Sequence, residues 1–420
     1  MRNHQVLFFI LVMLTASFGK SLDYVLEKAI ERNQELEALR QEILSTNASL
    51  NAQKQLYLPE FFINYRLSYS SQEQSLSVPF GLEVKSSKQS YSLFQGGIRY
   101  VLFDGGTRAG IVESSALELK VKQLLYEEKL GSLRLEVIHA YLDTLSAKAV
   151  LETIRKQREV VELQLNTAQA FYEKGLVAIT DVLQARVRLA EVERELRKAE
   201  GNYRLALANL SRISGLPEEE LTDLEEPKSN VELKPLDYYL LYVRDRNILK
   251  AQRERIDIFK AQKKLARSGF FPKLFFEASY TYTDQNPAIR PKGIFSFSAG
   301  LNLSFQGIKP YYQEMSAGYM ELKAQREYED LLQKVVLEVK KAYEDLLTSK
   351  DNLRVSEEAL AFAEKFFELS KEQYLNQLIS QRELLEAEAS LTKARVDKIV
   401  SYYQLLKAYY TLLFVSGLEK

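Results

Sequence analysis

The chain has 420 residues with 57 basic and 57 acidic side chains, so no uniform field draws it to nucleic acid or to an anionic surface. Cysteine is absent, which excludes disulfides, thiolate metal sites and a lipidated N-terminal cysteine. Only two histidines occur and no G-x-x-x-x-G-K-[ST], G-x-S-x-G or H-E-x-x-H is present, so the chain reads as a non-enzyme without cofactor or metal.

In chain order, MRNHQVLFFILVMLTASFGKS comes first: Arg2 and His4, an apolar run from Val6 to Leu14, then the small residues Ala16, Ser17 and Gly19. That order predicts a secretory signal over residues 1–19, too short to span a bilayer. His139 is the other histidine and reads as an ordinary helix side chain. No apolar stretch of about twenty residues follows, so any membrane role falls to strands.

Helical periodicity runs from about Leu22 to Tyr57. Two alternating segments follow, at about 59–70 and 91–103, and a second helical run from about Arg108 reaches YEKGLVAITDVLQA, where Gly175 predicts a reversal into a shorter helix. Residues 216–235 form an acidic link punctuated by Pro217, Pro227 and Pro235. Beyond it the order repeats: helix from about Leu236 to Arg267, strands at about 272–283 and 294–305, helix from about Tyr312 to Glu372, a turn near 377 and a last helix. Residues match at an offset of 202, as in Ala140-Tyr141 with Ala342-Tyr343, Tyr172 with Tyr374, and Ser214-Gly215-Leu216 with Ser416-Gly417-Leu418. The reading is therefore two repeats, 20–215 and 236–420.

The long helices, about 65 residues, reach about 100 Å at 1.5 Å per residue. Ile138, Leu142, Leu145 and Ala149 step as a coiled-coil seam, and Val137, Tyr141 and Val150 widen it, so each helix has neighbours on more than one side. In the strands Phe61, Ile63, Tyr65, Leu67 and Tyr69 share one parity, as do Phe94, Ile98, Tyr100 and Leu102. In the second repeat Leu274, Phe276, Ala278, Tyr280 and Tyr282 do so, and Phe295, Phe297, Ala299, Leu301, Leu303 and Phe305 likewise. About ten residues of alternation with an aromatic face fit a tilted membrane strand. Four strands do not close and open edges are not tolerated in lipid, so the chain must oligomerise.

GLVAITDV at Gly175 to Val182 and VLFDGGTRAG at Val101 to Gly110 resemble the TolC-like outer-membrane efflux and secretion channels, as do the prolines of LPEFF (Pro59) and FPKLFF (Pro272) at the entries to the strands. The resemblance covers nearly the whole chain after residue 19. It implies a mainly α protomer of tandem repeats with long coiled-coil helices and four β-strands. Three copies would make a twelve-stranded membrane β-barrel continued by an α-helical tunnel through the periplasm. It also implies a passive exit duct served by a periplasmic adaptor protein and an inner-membrane transporter, with outer-membrane lipid around it and no nucleic acid.

Residue by residue, Glu383 and Glu386 match the acidic ring of the family's aperture, and their spacing of three puts both on one helix face. Thr180, Asp181 and Tyr374 match the tip lock. Ile379 stands where the family carries arginine, with Arg382 the nearby substitute, and Gln377 stands opposite Gly175, so the second turn is expected to differ from the first. Gly175, Leu176, Val177 and Gln377 mark the turns on which the adaptor docks. Without the resemblance the helices alone also fit a surface coiled-coil tether, which has no need of paired ten-residue strands.

Overall fold

A computed structural model describes residues 20–227, 231–304 and 307–418; the expected signal peptide and Phe305 lie outside them. The first unit takes residues 20–36, 129–243 and 335–418, and the second takes 37–128 and 244–334. Each unit draws on both repeats, so compactness cuts across the duplication.

The expected single helix from Leu22 to Tyr57 is two helices, α1 (Leu22–Arg32) and α2 (Gln34–Lys54), with a 3₁₀ turn over Gln55–Tyr57. Asn33 breaks it: its backbone is extended, at ψ 114°, and its side chain accepts from the Leu36 N–H at 2.8 Å, which caps the next helix. α3 (Thr107–Glu173) and α4 (Ile179–Ser214) complete the helices of the first repeat. In the second, the expected helix from Leu236 to Arg267 divides into α5 (Leu236–Tyr242) and α6 (Asn247–Ser268), followed by α7 (Lys309–Leu375) and α8 (Gln381–Ser416). α3 and α7 are 67 residues each, α4 and α8 are 36 each, and both pairs begin at an offset of 202.

In the first unit both apolar stripes of α3 are buried, Ile138, Leu142 and Leu145 on one and Val137 and Tyr141 on the other. The buried Tyr141 hydroxyl bridges two backbones, reaching the carbonyls of Lys20 at 2.8 Å and Glu225 at 2.6 Å. The acidic link is docked rather than loose. Leu221 is fully buried, Lys20 exchanges backbone hydrogen bonds with Asp223 and Glu225, and Tyr403 donates to the Glu226 carboxylate. His139 lies 3.1 Å from the Thr411 hydroxyl, an ordinary packing position between helices.

The second unit holds a four-stranded antiparallel sheet of β1 (Glu60–Tyr69), β4 (Ser90–Phe103), β5 (Lys273–Thr283) and β6 (Gly293–Asn302), in the order β1-β4-β5-β6. The segment between β1 and β4, where no element is expected from the sequence, contains a further hairpin, β2 (Gln74–Val78) and β3 (Leu82–Ser87). It accounts for a change of offset between the repeats. β1 and β5 begin 213 residues apart while the later helices are 202 apart, so the first repeat carries 11 more residues at this point.

Much of the apolar parity of the sheet is exposed, including Phe61, Ile63, Tyr65, Phe295 and Phe297, while Phe94, Ala278 and Tyr280 are half-buried. The other parity is not uniformly polar. Phe62 stands directly across from Gly97, and Phe275 from Gly300, and each ring fills the space that a Cβ on its glycine would need. Between these rings Arg99 donates to Glu277 at 2.7 Å, its guanidinium within 5.7 Å of the Phe62 ring and 5.6 Å of the Phe275 ring. Where β4 hands over to α3, Asp104 takes the N–H groups of Gly106 and Arg108 and the Arg108 side chain, satisfying donors that a helix start leaves open. Asp-Gly-Gly-Thr-Arg is thus a strand-to-helix hinge with its cap built in.

Candidate functional site

The turns joining α3 to α4 and α7 to α8 both lie in the first unit. In the first, Gly175 has φ 72°, its N–H donates to the Tyr172 carbonyl at 2.8 Å, and the Leu176 N–H donates to the Phe171 carbonyl at 2.9 Å. This paired closure ends a helix on a left-handed residue. The second turn repeats it with Gln377 at φ 56°, bonded to Tyr374 at 2.9 Å, and Leu378 bonded to Gln373 at 2.8 Å. The expected difference between the turns is absent from their backbones. The second turn pays instead in strain, since a residue with a Cβ costs about 1–2 kcal/mol in this conformation. Gln377→Gly should therefore stabilise the tip by about 1 kcal/mol and Gly175→Gln destabilise it by a similar amount, read as opposite shifts of the thermal midpoint. Leu176, Ile179 and Leu378 are exposed at these turns, and Val177 is half-buried.

The helices leave the turns differently. α4 starts at Ala178 without a side-chain cap, but Asp181 sits in its first turn, where the helix dipole favours a carboxylate. α8 starts with a capping box: the Glu383 N–H donates to the Ser380 hydroxyl at 3.4 Å, and the Ser380 N–H donates to the Glu383 carboxylate at 2.8 Å. The sequence signal, Ser380-x-x-Glu383, was readable, and it gives Glu383 a structural task besides any role at an aperture. Glu386 is exposed and pairs at 3.3 Å with Arg382, one turn back on the same helix.

Tyr374 is 5% exposed, and its ring stacks on Phe171 at 6.1 Å with the planes 30° apart, which holds the two turns side by side. Its hydroxyl has no hydrogen-bond partner among the described residues. Burial, and then the charge of Asp181, push its pKa up, so the phenol remains a donor. The structure thus brings Tyr374 within electrostatic reach of Asp181, while Thr180 stays exposed. Arg382, the nearby arginine, pairs within the protomer with Glu386. Gln381 points fully inward, and the next residue is turned about 100° around the helix, toward Glu386 and solvent.

Further along α8 lies a buried polar layer that the sequence reading did not single out. Glu388 is 2% exposed and accepts from Thr392 at 2.9 Å, from Arg188 of α4 at 3.4 Å and from Gln157 of α3 at 3.5 Å. Arg188 also reaches Glu191 and Glu195. Grooves of about 390 Å³ and 410 Å³ flank this layer, the first bordered by α7 and the second by α4. No cluster with metal-ligating character occurs among the described residues, and no described helix is long and apolar enough to cross a membrane.

The sequence model of the family described as outer membrane efflux protein matches residues 25–216 and 241–418. The chain belongs to the outer membrane efflux protein family. Like its relatives it is an outer-membrane transport protein and not an enzyme. Outer membrane protein TolC of Vibrio cholerae is 26% identical over 324 residues, 73% of this chain and 74% of that protein. TolC of Escherichia coli is 24% identical over 94% of this chain and 83% of its own length. Among solved structures, the outer membrane protein VceC of Vibrio cholerae superposes with a TM-score of 0.79 at 17% identity, covering 94% of this chain and 96% of that one. The outer membrane efflux fold thus accounts for nearly the whole described chain, helical turns and strands alike.

Proposed function

We propose that three copies of this chain form the exit duct of a tripartite efflux or type I secretion assembly. Their sheets close into a twelve-stranded barrel in outer-membrane lipid, and their long helices form the periplasmic tunnel. The observation that carries this reading is the four-stranded sheet, with free edges at β1 and β6 and an exposed aromatic face. A sheet with unpaired edges is unstable in hydrocarbon, and four strands cannot close on themselves, so copies must pair edge to edge. The helical turns form the gate. Glu383 and Glu386 of three copies ring the aperture, and Tyr374 with Asp181 and Thr180 holds the two turns of each copy together. Gly175, Leu176, Val177 and Gln377 present the surface on which a periplasmic adaptor docks, bringing an inner-membrane transporter with it.

The test is conductance of the purified protein in planar bilayers, with divalent cations added from the side of the helical tip. Six carboxylates around one opening concentrate cations there. Block by divalent cations is expected, weakened at least several-fold in the double variant Glu383→Gln, Glu386→Gln. Glutamine retains the capping box at 383, so the helix start survives while the charge goes. A conducting channel whose block is unchanged moves the aperture away from these residues, and a protein that does not conduct removes the pore reading.

A further inference from the structure

The β2–β3 hairpin belongs to no part of the duct described so far. Leu76 stands across from Val84, with Val78 on the same parity as Leu76, while the other face carries Ser75 across from Lys85 and Ser77 across from Glu83. Leu76, Val78 and Val84 are exposed, and Phe80 at the tip is 100% exposed. A hairpin with one apolar face and an aromatic tip, left in water, is a surface that asks to be covered.

It is also an arm anchored at its root. At its root the Ser70 N–H donates to the Gln89 carbonyl at 2.7 Å and the Lys88 N–H to the Gln285 carbonyl at 2.8 Å. Lys88 pairs with Asp284 at 3.0 Å, and Asp284 also accepts from the N–H of Ser92 at 2.7 Å. The hydrogen bonds from Ser92 and Lys88 pull the Asp284 carboxyl down to about 2, so it remains a carboxylate acceptor at the root. The arm is therefore held on its own protomer's sheet with its apolar face free.

Topology names what lies beside it. The arm grows from the end of β1, which is an edge strand. In the sheet every neighbour is antiparallel, so a ring of such sheets pairs β1 with the next copy's β6 running the other way. The Tyr69 end of β1 then adjoins the Gly293 end of the neighbouring β6. The loop that feeds that β6, residues 284–292, rises at the foot of the arm. Its crest, Pro287-Ala288-Ile289, is apolar, and Ile289 is 55% exposed. This loop is the second repeat's counterpart of the arm, 11 residues shorter and without strands. One long connection and one short one per protomer give each interface one arm and one crest, a head-to-tail contact that closes around a ring.

We infer that the β2–β3 hairpin is a strap, its apolar face and Phe80 seated on the 284–292 loop of the next copy at the outer end of the sheet. The inference rests on the ring reading above, and the experiment separates the two. The chain has no cysteine, so Phe80→Cys and Ile289→Cys can be introduced together in the full-length protein and treated with a short bifunctional maleimide. The strap predicts a ladder of covalent dimer and trimer on denaturing gels, absent from either single variant. Light scattering of the untreated protein reports the ring independently. An oligomer of trimer mass without a ladder, or a link confined to one chain, overturns the strap and leaves the ring standing. A ladder from Phe80→Cys alone overturns it too, because the arms would then meet one another over the mouth. A monomer in light scattering removes the ring itself and the strap with it.

Discussion

Replacing Arg188 with alanine is expected to destabilise the helical unit by about 3–5 kcal/mol, because it strands a buried carboxylate. Among the described residues that bond Glu388, Arg188 is the one cation; Thr392 and Gln157 are neutral donors. Burial already pushes the Glu388 carboxyl above the ordinary range, and the hydrogen bonds to Thr392 and the pull of Arg188 do not bring it back. A carboxylate with a raised folded-state pKa contributes stability at low pH, and that contribution is lost as pH rises through the raised value. Without Arg188 the pKa rises further. The deficit of Arg188→Ala should therefore be largest in alkaline buffer and shrink as the buffer is made acidic and Glu388 takes up a proton. Glu388→Gln is the contrasting variant. It keeps a partner for Thr392 and leaves Arg188 paired with Glu191 and Glu195, so its cost should stay within about 1 kcal/mol. Thermal unfolding followed by circular dichroism at the two pH values checks both. Equal losses in the two variants, or a deficit of Arg188→Ala that ignores pH, would show that the layer is held by packing and not by charge.

That layer marks where sequence reading stops. Alternation in Phe61, Ile63, Tyr65, Leu67 and Tyr69 is local, because a pleated backbone sends neighbouring side chains to opposite faces. The left-handed turn at Gly175 is local as well. Glu388 and Arg188 are 200 residues apart on different helices, and nothing in either helix's own periodicity says that those two faces meet. The family pattern sets Tyr374 opposite Thr180 and Asp181, but its buried stacking on Phe171, 203 residues away in the chain, is written in neither helix alone. The hairpin was missed for another reason. Its strands are short, and Pro79-Phe80-Gly81 at the tip reads as loop, while the pairing that makes it a strand is a property of two segments together. Gln377 shows the reverse: a missing glycine looked like a different turn, yet the hydrogen bonds of the last helical turn impose the same backbone on a residue that resists it.

Tyr374→Ala should open the tip, and Tyr374→Phe should not. The ring is buried against Phe171 across the two turns, and removing a buried aromatic ring costs about 3–5 kcal/mol. That loss falls on the contact that holds the α7–α8 turn to the α3–α4 turn, so single-channel conductance of the alanine variant should rise. The hydroxyl contributes differently. It is buried without a partner among the described residues, as are both polar atoms of the Gln381 side chain. An unsatisfied buried group costs about 1–3 kcal/mol. Phenylalanine at 374 keeps the ring and removes that cost, so this variant should be as stable as the parent or more so, with parental conductance. Asp181→Ala removes the charged member of the lock without touching the ring, and should raise conductance, though by less than Tyr374→Ala does. If Tyr374→Phe opens the channel as far as alanine does, the hydroxyl has a partner in the assembled tip that one protomer lacks. The lock would then be a hydrogen bond made between copies. If only alanine opens it, the lock is the aromatic contact, and the polar residues around it set how easily that contact lets go.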